Sequence, residues 1–152
     1  MAAPKINCED VVRTLYTQPE HSNYCGVFTV AHLANILPEE AEIAFLCTGM
    51  TKRQLKRGTT VKEVSAAIIF LGYKTPGRLH LMQPGERLPN RCILNIRWYN
   101  PGTEQHGKGH WVLYNGGWVA CSGPDRSGIW KYDEYLKDRI GVNVSYLLAD
   151  KS

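Results

Sequence analysis

Apolar residues at Val27, Val30, Ala31, Ala34 and Leu37 recur at the spacing of one helical face. Ser22 to Leu37 therefore reads as a polar turn running into an amphipathic helix, with Cys25 at its start and Ser22 and Asn23 placed to cap it. Upstream, Glu9–Tyr16 patterns as a short helix with Asn7 as its cap, and Thr17–His21 as a connecting loop. Pro38-Glu39-Glu40 opens a further helix through about Leu46, with proline at the favoured first position and acids in the first turn. Gly49 and Gly58 bracket a short basic helix. Thr60-Val61-Lys62-Glu63 carries the capping-box pattern, Val64, Ala67, Ile68 and Leu71 form the buried stripe that follows, and Gly72 ends it.

The pattern changes character in the second half. Arg91–Trp98, His110–Tyr114, Trp118–Cys121 and Val142–Leu148 read as strands, and Asn115-Gly116-Gly117 is a hairpin signal between the second and third of them. Tyr99–Gly109, with three glycines, a proline and His106, reads as a mobile flap ahead of His110. Ser122–Gly128 is a loop and Trp130–Arg139 a short helix. Helices first and antiparallel strands second predict an α+β fold, with a helical part over about 5–75 and a sheet part over about 76–152.

A chain of 152 residues, 43% hydrophobic and 21% charged, fits one domain able to bury its own core. The net charge of +4 is mild, and its densest run, Lys52–Arg57, has no aromatic residues between the charges. That run is a solvated face first, which argues against a nucleic-acid partner. The five cysteines (Cys8, Cys25, Cys47, Cys92, Cys121) are an odd number with no C-x-x-C pair, and the start of the chain lacks a secretory pattern. Neither a zinc site nor a disulfide framework is indicated, so a reducing compartment is expected, with most of these thiols packed as small hydrophobes. No apolar run approaches the roughly 18 residues a membrane span needs.

The candidate chemistry starts at Cys25. The first turn of a helix presents unpaired N–H groups and the positive end of the macrodipole, which favour a thiolate. Gly26 leaves room for a substrate to approach. A nucleophilic thiol needs a base, usually from elsewhere in the fold. Among the histidines, His110 starts a strand after a glycine-bearing loop, which sets its ring at a sheet end facing a cleft. Gly109 and Trp111 flank it as further substrate-binding candidates, although Trp111, like Trp98, Trp118 and Trp130, is first a core residue. His32 sits two turns beyond Cys25, where a core histidine is expected; His21 can line the site, and His80 and His106 have no comparable placement.

A thiol opening a helix, followed by a Gly-His-Trp strand, an Asn-Gly turn and a second aromatic strand, resembles the papain-like cysteine protease superfamily. The helix text Cys-Gly-Val-Phe-Thr also resembles the SUMO-protease and adenoviral branch, but there the histidine precedes the cysteine. Order and size are closer to the Josephin deubiquitinases and the compact papain-like proteases of RNA viruses, of picornaviral leader and nidoviral types. The resemblance runs from Gln18 through the last strand. It implies Cys25 as nucleophile and His110 as general base. The third member belongs just after the second strand, where counting from Trp118 reaches Ser122; Asp125 is the nearest carboxylate and is preferred, with Ser122 or a plain dyad left open. Gln18 is the implied oxyanion donor if its loop bulges, with Asn23 as the alternative and the Cys25 N–H as the second donor.

The resemblance thus implies a thiol hydrolase needing no cofactor and no metal. It would act on protein substrates, either polyprotein junctions or ubiquitin-type conjugates, in the cytoplasm, or in the host cytoplasm for a viral protein. No nucleic acid or membrane is implied as a partner. A deamidase or acyltransferase on the same dyad, and a non-catalytic binding module, are the competing readings.

Overall fold

Val27, Val30 and Ala31 bury one face of the helix that Cys25 opens, but the burial goes further than the stripe: every residue from Gly26 to Leu33 is buried. A helix apolar on all sides belongs inside a core rather than on it. The computed structural model describes residues 11–20, 22–99, 109–124 and 126–151. Asn7, Cys8, Glu9, His21, the segment 100–108 with His106, and Asp125 lie outside the described residues. Among those described, the helices are α1 (Cys25–Ala34), α2 (Pro38–Cys47), α3 (Lys52–Lys56), α4 (Val61–Phe70) and α5 (Tyr132–Leu136). The strands are β1 (Tyr73–Lys74), β2 (His80–Leu81), β3 (Arg91–Tyr99), β4 (His110–Asn115), β5 (Trp118–Cys121), β6 (Gly128–Lys131), β7 (Ile140–Leu147) and β8 (Asp150–Lys151).

Six strands form one antiparallel sheet in the order β2-β7-β3-β4-β5-β6, and β1 pairs with β8 apart from it. With the helices gathered mainly in the first half, this is the α+β class the pattern predicts. Strand alternation gives the sheet two buried faces. Ile93, Trp111, Leu113 and Ala120 pack with α1, α2 and α4, while Leu94, Ile96, Val112, Val119 and Cys121 pack with Tyr135 of α5. None of the described helices is long and apolar enough to cross a membrane.

Several boundaries depart from the pattern. Val12–Tyr16 is not helical. Neither Ser22 nor Asn23 caps α1: the cap position is Tyr24, without a side-chain bond, and the Asn23 amide donates to the Lys56 carbonyl at 3.1 Å. Leu37 lies beyond α1, exposed, as the residue leading into α2. Trp130 belongs to β6, so the helix expected from there starts two residues later. In the hairpin, the positive backbone angles fall on Gly116 (φ +58°) and Gly117 (φ +95°), while Asn115 stays in β4 opposite Trp118. The capping box of α4 forms as predicted: the Glu63 N–H donates to the Thr60 hydroxyl at 3.3 Å and the Thr60 N–H to the Glu63 carboxylate at 2.9 Å.

Candidate active site

The start of α1 is held against the start of β4. Thr29, one turn into the helix, donates its buried hydroxyl to the Trp111 carbonyl at 3.0 Å. Trp111 in turn donates its indole N–H to the Thr59 carbonyl at 3.1 Å, tying the strand to the segment before α4. These bonds bring Cys25 and His110 to the same cleft, of about 430 Å³, whose walls include Gln18, Asn23, Gly58, Thr59, Trp98, Gly109 and Trp111. Cys25 is half-buried there.

Burial pushes the Cys25 thiol above its ordinary range, and the backbone amides of Trp111 and Gly26 only partly offset it. The expectation that the helix start makes this thiol readily ionised is therefore corrected: desolvation outweighs the local N–H groups. His110 is pushed down to about 4, first by burial and then by the positive charge of Arg139. Both shifts favour an uncharged thiol and an uncharged imidazole over the expected thiolate–imidazolium pair.

The hydrogen bond that His110 makes among the described residues is to a second sulfur. Its Nε2 lies 3.3 Å from Cys121 Sγ. That sulfur also accepts from the Tyr135 hydroxyl at 3.1 Å and from the Gly123 N–H at 3.4 Å. The strand register explains the arrangement. Leu113 stands opposite Ala120; continuing that register sets His110 opposite Gly123, with Cys121 its diagonal neighbour on the same face. A Cβ on Gly123 would sit 3.3 Å from His110 Nε2, so the bare glycine lets the ring lie against the backbone. Trp98 closes the other side edge-on, its ring centre 6.2 Å from that of His110.

The same parity turns Ser122 to the opposite face, and its hydroxyl donates to Gln18 Oε1 at 3.0 Å. Ser122 thus holds Gln18 rather than His110. The Gln18 N–H donates to the Ser122 carbonyl at 2.8 Å, and Gln18 Nε2 donates to the Ser22 carbonyl at 3.0 Å. The Gln18 amide is thus held at both ends, Oε1 by Ser122 and Nε2 by Ser22, whose hydroxyl also lies 3.3 Å from Nε2. Asn23 lines the cleft, but its amide is committed to Lys56. The preferred third member, Asp125, is outside the described residues.

Gly26 has a different role from the one expected. A Cβ there would collide with the Thr59 hydroxyl and approach Trp111, so the space beside it is filled by the protein. Gly109 does line the cleft, and a Cβ on it would lie 2.5 Å from the Asn95 amide oxygen, so glycine is required by close packing. Trp111 is buried and contributes one wall. His32 is the core histidine expected: buried, stacked on Tyr16, its Nε2 accepting from the Tyr16 N–H at 2.9 Å, and pushed down to about 4 by burial.

Pattern reasoning passed over Cys121, Tyr135, Arg126 and Arg139, which surround the far side of the His110 ring. Cys121 was findable, because a two-residue turn fixes the hairpin register and with it the face each residue takes. The others come from α5 and its flanks, which dock on the sheet without a local signal. Among the described residues, no three His, Cys, Asp or Glu side chains converge as a metal ion would require. The chain matches no protein-family model, and comparison with curated proteins finds no significant relative.

Proposed function

We propose that this protein is a cysteine hydrolase of papain-like type that cleaves peptide or isopeptide bonds through Cys25 and His110. The observation that carries the reading is a single cleft lined by a half-buried thiol at a helix start, an imidazole at a strand start and a fixed glutamine amide. With Nε2 engaged by Cys121, Nδ1 is the ring nitrogen left to take the thiol proton as Sγ attacks the carbonyl carbon. Gln18 Nε2, exchanging a bond to Ser22 for one to the substrate, and the Cys25 N–H are the donors for the oxyanion; losing one such donor costs about 10²–10³ in rate. Collapse breaks the C–N bond as His110 returns the proton to the leaving amine. Water, deprotonated by His110, then hydrolyses the thioester and restores the thiol. Cys121 holds the position beside His110 that an amide or carboxylate holds in other sites of this logic.

Protein substrates follow from this chemistry, with polyprotein junctions and ubiquitin-type conjugates as the two classes to try. Incubating the protein with a di-ubiquitin panel and with a complex peptide mixture, each beside Cys25→Ala, tests the reading. Cleavage by the wild-type protein alone supports it. A mass gain of one unit without chain scission indicates deamidation instead, and no product from either set contradicts hydrolysis.

A further inference from the structure

Past the His110 ring, on the side away from Cys25, lies a second concavity of about 480 Å³ that shares Gln18, Ser22, Trp98 and His110 with the first. We infer that this concavity is the subsite for the leaving part of the substrate, and that Arg139 and Arg126 make it select a carboxylate there: an aspartate or glutamate side chain, or a free chain end. The inference rests on the proposed hydrolase reading.

The two guanidiniums converge on one acceptor. Arg126 Nη1 donates to the Tyr135 carbonyl at 2.7 Å, and Arg139 Nε donates to the same oxygen at 3.4 Å. Two like charges gathered on a single carbonyl repel each other, an arrangement that an anion between them would relieve. Among the described residues, the acid paired with them is Asp138, 3.7 Å from Arg126 Nη2 with its side chain 77% exposed, so it offsets little of that charge. Arg139 is stacked on the Trp98 ring, its guanidinium carbon 3.7 Å from the ring centre, and it is half-buried. Among the described residues its two Nη groups have no hydrogen-bond acceptor, so a flat, oriented fork of donors faces the concavity. Stacking fixes its direction without using those donors.

The chemistry assigns the concavity to the leaving fragment. The amine that departs takes its proton from His110 and must lie beside that ring, so the chain beyond it runs past the imidazole toward Arg139. A carboxylate bound there would also offset the Arg139 charge, the smaller of the two causes that push His110 down, while burial would remain.

The test uses Cys25→Ala protein and fluorescent hexapeptides differing only at the residues following a central Gly-Gly bond, with Glu, Gln or Lys in turn. The expected result is binding at least about tenfold tighter for Glu than for Gln, and weaker still for Lys. In Arg139→Gln the Glu-to-Gln ratio should fall to near one, and Arg126→Gln should lower it in part. Equal binding of the three peptides, or none, overturns the inference. Mass spectrometry of a peptide library cut by the wild-type protein separates this from the parent reading. Cleavage without acid enrichment on the leaving side sinks the subsite and leaves the hydrolase, whereas acid-selective binding without any cleavage overturns the hydrolase and with it the assignment to a leaving fragment, keeping only a carboxylate-binding concavity.

Discussion

His110 is where burial and function meet. Its ring is enclosed by Trp98, Gly123 and Cys121 and is pushed down to about 4. The acid limb of kcat/KM, which reports the free enzyme, should therefore fall near pH 4 rather than near the 6.5 or so of an unperturbed imidazole. A pH–rate profile with its midpoint above 6 would contradict this. Cys121 orients the ring, so Cys121→Ala should lower kcat by about 10–100-fold with KM nearly unchanged, while Cys121→Ser, which keeps an acceptor for Tyr135 and Gly123, should recover part of the loss. Equal losses in both variants would reduce Cys121 to packing. The shared cleft of Cys25, His110 and Gln18 was legible in sequence, because a helix start, a strand start and a loop each leave a local mark. Ser122, left open as a third member behind Asp125, bonds Gln18 instead, because counting along the strand ignores which face each residue takes. Gly26 was read as open space because nothing local announces Thr59, which arrives from 33 positions later in the chain.

At the scale of elements, the site depends on how α1 is seated. Gly26→Ala places a methyl group against Thr59 and Trp111 and should destabilise the fold by about 1–3 kcal/mol, measured by urea denaturation. Thr29→Val removes the bond from α1 to the Trp111 carbonyl and leaves that buried acceptor unpaired; it should cost about 1–3 kcal/mol and lower kcat more than Thr51→Ala, which removes only the α3 cap, about 1 kcal/mol, at a residue that does not line the cleft. Similar kcat values for the two variants would show that the helix–strand tie does not position the pair. The helices of the first half were legible because proline, the capping box and glycine stops act within a few residues. The depth of α1 was not: it follows from being covered by α2, α4 and β4 together, and periodicity alone registers one face. The short strands β1, β2 and β8 escaped for the same reason, since their pairing partners lie far along the chain.

For the whole molecule, the buried His32 and the partly buried His110 contribute a response to acid. His32 and His110 both titrate near 4 in the folded protein and near 6.5 when unfolded, so the unfolded chain binds more protons throughout that window. Stability should fall as pH drops from about 6.5 toward 4, by up to about 1.4 kcal/mol per pH unit for each histidine, and their contribution should level off below 4. A urea midpoint that does not move between pH 7 and 5 would contradict the neutral state assigned to both rings. The same neutrality bears on the proposed mechanism, in which a thiol and an imidazole uncharged at rest would have to act together as the carbonyl is attacked. The most direct test of that joint action is a double-mutant cycle on any amide substrate the wild-type protein turns over, comparing Cys25→Ala, His110→Ala and the two combined. The account predicts that each single variant loses nearly all the rate and that the combination loses no more than either. Substantial turnover by Cys25→Ala, or losses that multiply in the combined variant, would contradict it.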